Sequence, residues 1–265
     1  MSAVRKAGLV GWGAIGRVVG TALARREVPG AELVCIVDNR PLGDAAPAPQ
    51  VAFEEALERC DLIVEAAGQG VVREWGERVL ASGTDLLVAS TGALTDEELA
   101  KRLLNTGPGR VYFTGGAVGG LDLLQAVRAV GPLDEVRLTT TKLPSTLEQP
   151  WMDEELLSRL RTATGPVEVM AGTAREIPVK FPRSTNVAAS VALAVGDLDA
   201  VRVRVVADPG AHRTRHVVEA SGPLGAYRFE VAHLPDPDNP ATSRVVPYAV
   251  LRSLAALAGR GGQIL

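Results

Sequence analysis

The sequence predicts an α/β fold in which a doubly wound parallel sheet is followed by a second, α+β domain with a largely antiparallel sheet. In the first half of the chain, short apolar runs alternate with helix-like segments, a pattern typical of parallel sheets. After about residue 130 the pattern changes. Three late runs alternate apolar and polar residues and are joined by turns that contain Gly or Pro, which favours antiparallel strands.

The first strand–helix–strand unit is the most informative stretch. Residues 7–10 predict a short apolar strand, 14–26 a helix, and 31–38 a second strand of the kind that is buried in a parallel sheet. A G-x-G-x-x-G motif joins the first strand to the helix, and Asp38 closes the second strand. The motif alone is weak evidence, but in this context it predicts a dinucleotide-binding (Rossmann) domain.

Each glycine of this motif has a physical role. Gly11 allows the tight turn, Gly13 lets the backbone approach a pyrophosphate, and Gly16 lets helix and strand pack closely. The start of the following helix offers free N–H groups and a positive dipole end to phosphates. The predicted phosphate-binding residues are therefore Gly11, Gly13, Ala14, Ile15 and Gly16.

The acidic residue that ends the second strand predicts the cofactor. Asp38 is expected to accept the adenosine ribose hydroxyls and to repel a 2′-phosphate. Arg40, two residues further on, is able to pair with that phosphate and so soften the preference. We therefore expect NAD as the cofactor, with NADP also usable.

Three further strands and two helices complete the predicted first domain: strands at 61–67, 85–90 and 110–116, and helices at 70–82 and 95–105. Thr95 and Glu98 form a predicted capping box for the last of these helices. Gln69 and Ser90 follow the third and fourth strands, at the carboxyl edge where ligands bind, so we expect both to contact the cofactor. The Pro- and Ala-rich residues 39–50 predict a surface loop.

The predicted second domain spans residues 118–240, whereas residues 1–117 form the first domain, completed by the C-terminal segment 241–265. The elements expected beyond residue 130 are strands at 134–144, 166–174, 201–207, 215–222 and 226–234, and helices at 153–162, 186–195 and 243–260. A homodimer through the second-domain sheet is expected.

Composition excludes several classes of protein. The 265-residue chain is 46% hydrophobic and carries a net charge of −3 without a basic stripe, so we expect no nucleic-acid partner. No apolar run approaches the roughly 20 residues of a membrane span, and the start lacks the apolar core of a signal peptide. The two cysteines have neither a metal-ligand spacing nor a disulfide framework. We therefore expect a cytoplasmic protein without a metal site.

Several segments, in order along the chain, resemble the L-aspartate dehydrogenase family: "GWGAIG", "VEAAGQ", "STGAL", "TGGAVGGLD", "KFPRSTNVAAS", "ADPGAHRTRH" and "NPATS". The resemblance covers most of the chain. It implies NAD(P)-dependent oxidative deamination of L-aspartate to iminoaspartate, which hydrolyses to oxaloacetate and ammonia or enters quinolinate and NAD synthesis.

The resemblance also implies site residues. His216 corresponds to the family's catalytic histidine, and Ala117 and Asn186 correspond to cofactor-contacting positions. The "TGG" before Ala117 ends the fifth predicted strand, where bare backbone suits a nicotinamide ring and a small substrate, although a plain domain-boundary turn also explains these glycines.

Histidines and cationic side chains are the candidates for proton transfer and for substrate binding. In a strand, His212 and His216 share one face, and a histidine suits proton transfer near neutral pH. A solvated strand residue is the alternative for His216, and His233 reads as a loop residue. The dicarboxylate substrate implied by the resemblance needs cations, for which the candidates are Lys142, Arg183, Arg213 and Arg215.

The sequence departs from the family in two places. It has "HRTRH" where the family often has T-R-N-x-H, and it keeps only Lys142 and Pro144 of an Arg-Lys-Pro-Pro turn. Two alternatives stay open at this point. One is an oxidoreductase of the dihydrodipicolinate reductase type, whose paired-histidine signature is not visible, and the other is a non-catalytic NAD-binding regulator.

Overall fold

The computed structural model describes residues 4–43, 46–182 and 186–259. The chain divides into two compact units. One comprises the described residues up to Thr114 together with those from Val246 onward, and the other comprises Gly115–Val245. The chain thus passes from the first unit to the second after Thr114, three residues before the predicted boundary at 117. The backbone pairing of the first unit ends at this point, where Thr114 N–H donates to Val88 O (3.2 Å).

The first unit contains a five-stranded, wholly parallel sheet, which confirms the predicted fold class. Its strands are β1 Arg5–Val10, β2 Ala31–Val37, β3 Leu62–Glu65, β4 Asp85–Val88 and β5 Val111–Phe113. Their order is β2-β1-β3-β4-β5. The order reverses between β1 and β3, so the carboxyl ends of these two strands flank the crevice where doubly wound sheets bind ligands.

Helices of the first half of the chain follow the strands: α1 Ala14–Ala24, α2 Phe53–Arg59, α3 Gln69–Ala81 and α4 Glu97–Asn105. The predicted capping box of α4 is wrong. Residues Thr91–Thr95 form a 3-10 turn in which Thr95 Oγ1 donates to Gly92 O (3.0 Å). The helix therefore begins later, and Asp96 caps it by accepting from Leu99 N (3.0 Å).

The second unit contains a mixed sheet in which three of the four strand pairings are antiparallel, which confirms the largely antiparallel prediction. Its strands are β6 Glu135–Lys142, β7 Val167–Thr173, β8 Val201–Ala207, β9 Thr214–Gly222 and β10 Gly225–His233. The order is β10-β9-β6-β8-β7, and only β6 and β8 run parallel. Its helices are α5 Leu121–Arg128, α6 Glu154–Thr162, α7 Ile177–Lys180 and α8 Asn186–Val195, and α8 packs on both α5 and β8.

The last helix, α9 Val246–Leu257, lies in the first unit. Val250 and Leu254 of α9 join Val19 and Leu23 of α1 in one buried cluster. This apolar face explains why the C-terminal segment returns to the dinucleotide unit. Among the helices of the described ranges, none is long and apolar enough to cross a membrane.

Candidate active site

Two positions of the glycine-rich loop between β1 and α1 require glycine because of contacts within the chain itself. Gly11 has a φ of +98°, and a Cβ there would lie 2.7 Å from the Ala66 carbonyl oxygen. A Cβ on Gly16 would lie 1.9 Å from the Gly11 carbonyl oxygen. Either side chain would therefore push the loop out of its tight turn.

Gly13 differs from these two glycines. A Cβ on Gly13 would meet no described atom within 4 Å, so the fold around it does not demand glycine. The open space suits a ligand that approaches the backbone closely. Helix α1 starts here without a side-chain cap and without an acidic residue in its first turn, which leaves its first N–H groups to a ligand. These features fit the pyrophosphate of a dinucleotide.

Asp38 lies directly after β2 and is held by its neighbours. Its carboxylate accepts hydrogen bonds from Trp12 N (2.7 Å) and Arg40 N (2.9 Å), and Arg40 Nε lies 3.3 Å from Oδ1. Burial acts to raise the pKa of Asp38, but the bonds from Trp12 and Arg40 outweigh it and hold the pKa below its usual value. The group is therefore an ionised acceptor, as ribose hydroxyls require.

Gln69 and Ser90 lie where the sequence predicts them, at the carboxyl ends of β3 and β4. Gln69 is the first residue of α3, is buried, and accepts from Arg73 Nη2 (3.0 Å) through Oε1. Ser90 is also buried and precedes the 3-10 turn after β4. Their contacts with a cofactor stay predictions.

Glu65, the last residue of β3, is a candidate that the sequence reasoning missed. Its side chain is only 1% exposed, and its carboxylate accepts bonds from both the loop after β3 and the loop after β4. Burial raises its pKa, and the hydrogen bonds from Gly68, Ser90 and Ala67 oppose that rise. The available signal was an acid at the end of the otherwise apolar run "LIVE".

A second group of candidates lies on the buried face of the sheet in the other unit. His216 pairs with Thr140 in the β9–β6 register, and Thr140 Oγ1 lies 3.0 Å from His216 Nδ1. His216 is 2% exposed, so it is not a solvated strand residue. Lys142 lies two residues beyond Thr140, on the same face, and is 3% exposed.

The charge states of this pair are set by burial. Lys142 Nζ donates to Ala241 O (2.8 Å), and burial lowers the pKa of Lys142 to about 8. Burial, with the charges of Lys142 and His233, lowers the pKa of His216 to about 3. The sequence predicts a histidine that titrates near neutral pH, but burial keeps His216 a neutral imidazole at that pH.

The glycine-rich stretch 115–120 is anchored by a histidine. His233 Nε2 lies 3.1 Å from the Ala117 carbonyl oxygen. His233 is the last residue of β10, so the prediction that it lies in a loop is wrong. A carbonyl only accepts, so Nε2 carries the proton. Gly120 has a φ of +78°, and a Cβ there would lie 2.6 Å from the Phe229 ring. Packing therefore accounts for Gly120, whereas a ligand contact of Ala117 stays a prediction.

The remaining candidates are spread more widely. His212 and Arg213 are exposed and precede β9, so the predicted strand face does not extend to His212. Arg213 lines a shallow depression with Thr141 and Arg215, whose side chains lie on the sheet face opposite His216. Asn186 is the half-buried first residue of α8, and Arg183 lies outside the described residues.

Comparison with known proteins matches each half of the chain to a protein family. A family model described as the NAD-binding domain of homoserine dehydrogenase matches residues 11–108, and one described as the C-terminal part of aspartate dehydrogenase matches residues 122–257. With the parallel sheet and its glycine-rich edge, these matches define an NAD(P)-dependent oxidoreductase. The chain belongs to the L-aspartate dehydrogenase family.

Individual relatives extend over nearly the whole chain. L-aspartate dehydrogenase 2 of Bordetella pertussis is 34% identical, covering 92% of this chain and 94% of its own. L-aspartate dehydrogenase of Methanosarcina mazei is also 34% identical, over 94% and 95% of the two chains. The crystal structure of aspartate dehydrogenase from Thermotoga maritima has a TM-score of 0.76 at 27% identity, covering 98% of this chain and 99% of its own.

Proposed function

We propose that this chain oxidises L-aspartate with NAD. L-aspartate, NAD⁺ and water give oxaloacetate, ammonium, NADH and one proton, through an imine. Family membership supports the reaction, and the observation that carries its chemistry is the buried pair of Lys142 and His216 on one face of the second-unit sheet. A bound nicotinamide supplies the two-electron acceptor for the substrate's Cα–H bond.

Lys142 is the residue best suited to accept a proton from the substrate ammonium group. Formation of a C=N bond needs the nitrogen lone pair, so that proton must leave first. A lysine with a pKa of about 8 has an accessible neutral form near the working pH, whereas an ordinary lysine does not. In its protonated form, Lys142 also attracts a substrate carboxylate.

His216 is proposed to orient the reacting nitrogen or the water that attacks the imine. For Nε2 to accept a proton, Nδ1 must carry the hydrogen and donate it to Thr140 Oγ1. Among the described residues, none makes a hydrogen bond to Nε2, which leaves this atom for substrate or water. The two carboxylates of a bound aspartate raise the pKa of His216 and make it a stronger base.

The remaining proposals concern substrate binding, cofactor contacts, assembly and cellular setting. Arg183 and Arg213 stay proposed carboxylate ligands, and Asn186 and Ala117 stay proposed cofactor contacts. A homodimer through the second-unit sheet stays a proposal for the assembly. The thiols of Cys35 and Cys60 lie buried and 3.5 Å apart without a disulfide, which is compatible with the proposed reducing, cytoplasmic setting.

A substrate screen tests the proposed function. Purified protein is mixed with NAD and each of the common L-amino acids, and the absorbance of reduced nicotinamide is followed. We expect L-aspartate to react far faster than every other amino acid. Those with one carboxylate engage a single cationic group, and L-glutamate places its second carboxylate one methylene further away. Comparable turnover of alanine or leucine would refute the assignment of aspartate.

We expect NAD to bind more tightly than NADP, and Asp38→Ala to narrow that difference by about tenfold or more, because the carboxylate repels a 2′-phosphate. NADP should remain usable because of Arg40. Its side chain is 70% exposed and forms an ion pair with Asp38, and rotation of this side chain would direct the guanidinium to a 2′-phosphate. Titration of both cofactors with wild type and variant measures the effect. Tighter binding of NADP than of NAD by the wild type would show that the role of Asp38 is misassigned.

A further inference from the structure

We infer that Glu65 is a positioning residue for the cofactor site, whose carboxylate holds the loops after β3 and β4 in the arrangement that receives the dinucleotide. The inference deepens the proposed function, since it takes this edge of the sheet as the cofactor edge. It assigns Glu65 no contact with the cofactor itself.

One carboxylate connects two loops. Oε1 accepts from Ala67 N (2.8 Å), Gly68 N (2.7 Å) and Ser90 Oγ (2.9 Å). Oε2 accepts from Ala89 N (3.2 Å) and Ser90 N (2.9 Å). Four backbone N–H groups and a hydroxyl therefore converge on a single side chain, two of the amides from one loop and two from the next.

The donors of the cluster favour an ionised carboxylate, against the burial that raises the pKa of Glu65. All four backbone partners only donate, and a carboxylate accepts through both oxygens. A glutamine of the same shape would turn an NH₂ group towards two of these N–H groups. A buried anion is costly in an apolar strand such as "LIVE" unless it is fully hydrogen-bonded, and five donors provide that compensation.

The position of the cluster connects it to the cofactor site. Glu65 ends β3, one of the two strands that flank the ligand crevice of this sheet. Gly68, which it holds, has a φ of +128°, and a Cβ there would meet no described atom within 4 Å. Next to this open backbone lie Gln69 and Ser90, both proposed cofactor contacts. Loss of the carboxylate would thus release the two segments that form this edge.

The same sheet offers a matched control at its opposite edge. Asp85 begins β4, and its carboxylate accepts from Arg5 Nη2 (2.5 Å) and Arg110 N (2.8 Å). It also connects separate segments, but at the amino ends of the strands, away from the ligand crevice. Asp85→Asn therefore perturbs the stability of this unit without disturbing its cofactor edge.

The test compares NAD dissociation constants and melting temperatures of full-length Glu65→Gln, Glu65→Asp and Asp85→Asn. We expect Glu65→Gln to bind NAD roughly ten- to a hundredfold more weakly, because several hydrogen bonds to a charged group are lost. Glu65→Asp keeps the charge but falls short of one loop, so we expect an intermediate loss. Asp85→Asn should melt earlier than wild type and bind NAD normally.

Two outcomes overturn the inference: normal NAD binding by the Glu65 variants, or equal weakening by Asp85→Asn, which would indicate a purely structural role. If Glu65→Gln does not fold, the NAD dissociation constant and melting temperature of Glu65→Asp are compared with those of Asp85→Asn instead. The readout is binding rather than turnover, so a wild type that binds NAD but leaves aspartate unreacted would refute the proposed function alone. A wild type that does not bind NAD would refute both.

Discussion

Alanine in place of His216 is expected to lower turnover of L-aspartate by about 10²–10⁴-fold, the range typical of a positioned acid–base group. The loss should appear in kcat, while NAD affinity stays near wild type, because the dinucleotide loop belongs to the other unit of the chain. His216→Asn should be nearly as slow, since an amide keeps a hydrogen bond to Thr140 but does not carry out the proton chemistry.

His212 provides the matched control for this experiment. It lies four residues away in the same "HRTRH" segment but is exposed and outside β9. His212→Ala should therefore keep close to wild-type turnover. If His212→Ala is the slow variant and His216→Ala is not, the wrong histidine of the pair has been assigned. Near-normal turnover in both variants would remove histidine from the proposed mechanism altogether.

Methionine in place of Lys142 is expected to lower turnover by a similar factor and to change the pH dependence. In the wild type, Lys142 is mostly protonated below its pKa of about 8. The fraction in the neutral, proton-accepting form therefore falls about tenfold for each pH unit below that value. The value of kcat/KM should therefore rise with pH and level off above about 8. Lys142→Met should lose this inflection.

Lys142→Met should still fold. Methionine has a similar length without the charge, and a buried charge is costly, so its removal does not by itself destabilise the unit. Lys180 is the control, because it is exposed in the same unit and stacks over Trp151 rather than lying on the His216 face. Lys180→Met should retain the wild-type profile. An unchanged inflection in Lys142→Met would assign that ionisation to another group.

Regular patterns made much of the fold predictable. The alternation in 201–207 and the small apolar residues of 186–195 predict β8 and α8 with the bounds that the structure has. Helix α2, Phe53–Arg59, was missed, because seven residues after a Pro-rich loop carry little helical periodicity. The N-terminus of α4 was misplaced because a 3-10 turn cannot be distinguished from a first helical turn by its residues alone.

Physical patterns alone predict the candidate site only where a local motif carries the chemistry, whereas His216 is implied by the family resemblance. The glycine loop and Asp38 belong to one strand–helix–strand unit, so their spacing reveals them. The roles of Glu65, Lys142 and His233 depend on partners distant in sequence, such as Ala241 for Lys142 and Ala117 for His233. The low pKa of His216 is likewise a consequence of tertiary burial, which no local pattern records.

The most direct test of the central claim is the stoichiometry of one reaction. Purified wild-type protein is incubated with NAD and L-aspartate, and reduced nicotinamide and released ammonia are measured together, with D-aspartate and His216→Ala in parallel. We predict one ammonia for each NADH from L-aspartate, neither product above background from D-aspartate, and both products formed about 10²–10⁴-fold more slowly by His216→Ala. Binding of NAD without formation of NADH from L-aspartate would contradict the account and indicate a non-catalytic NAD-binding protein.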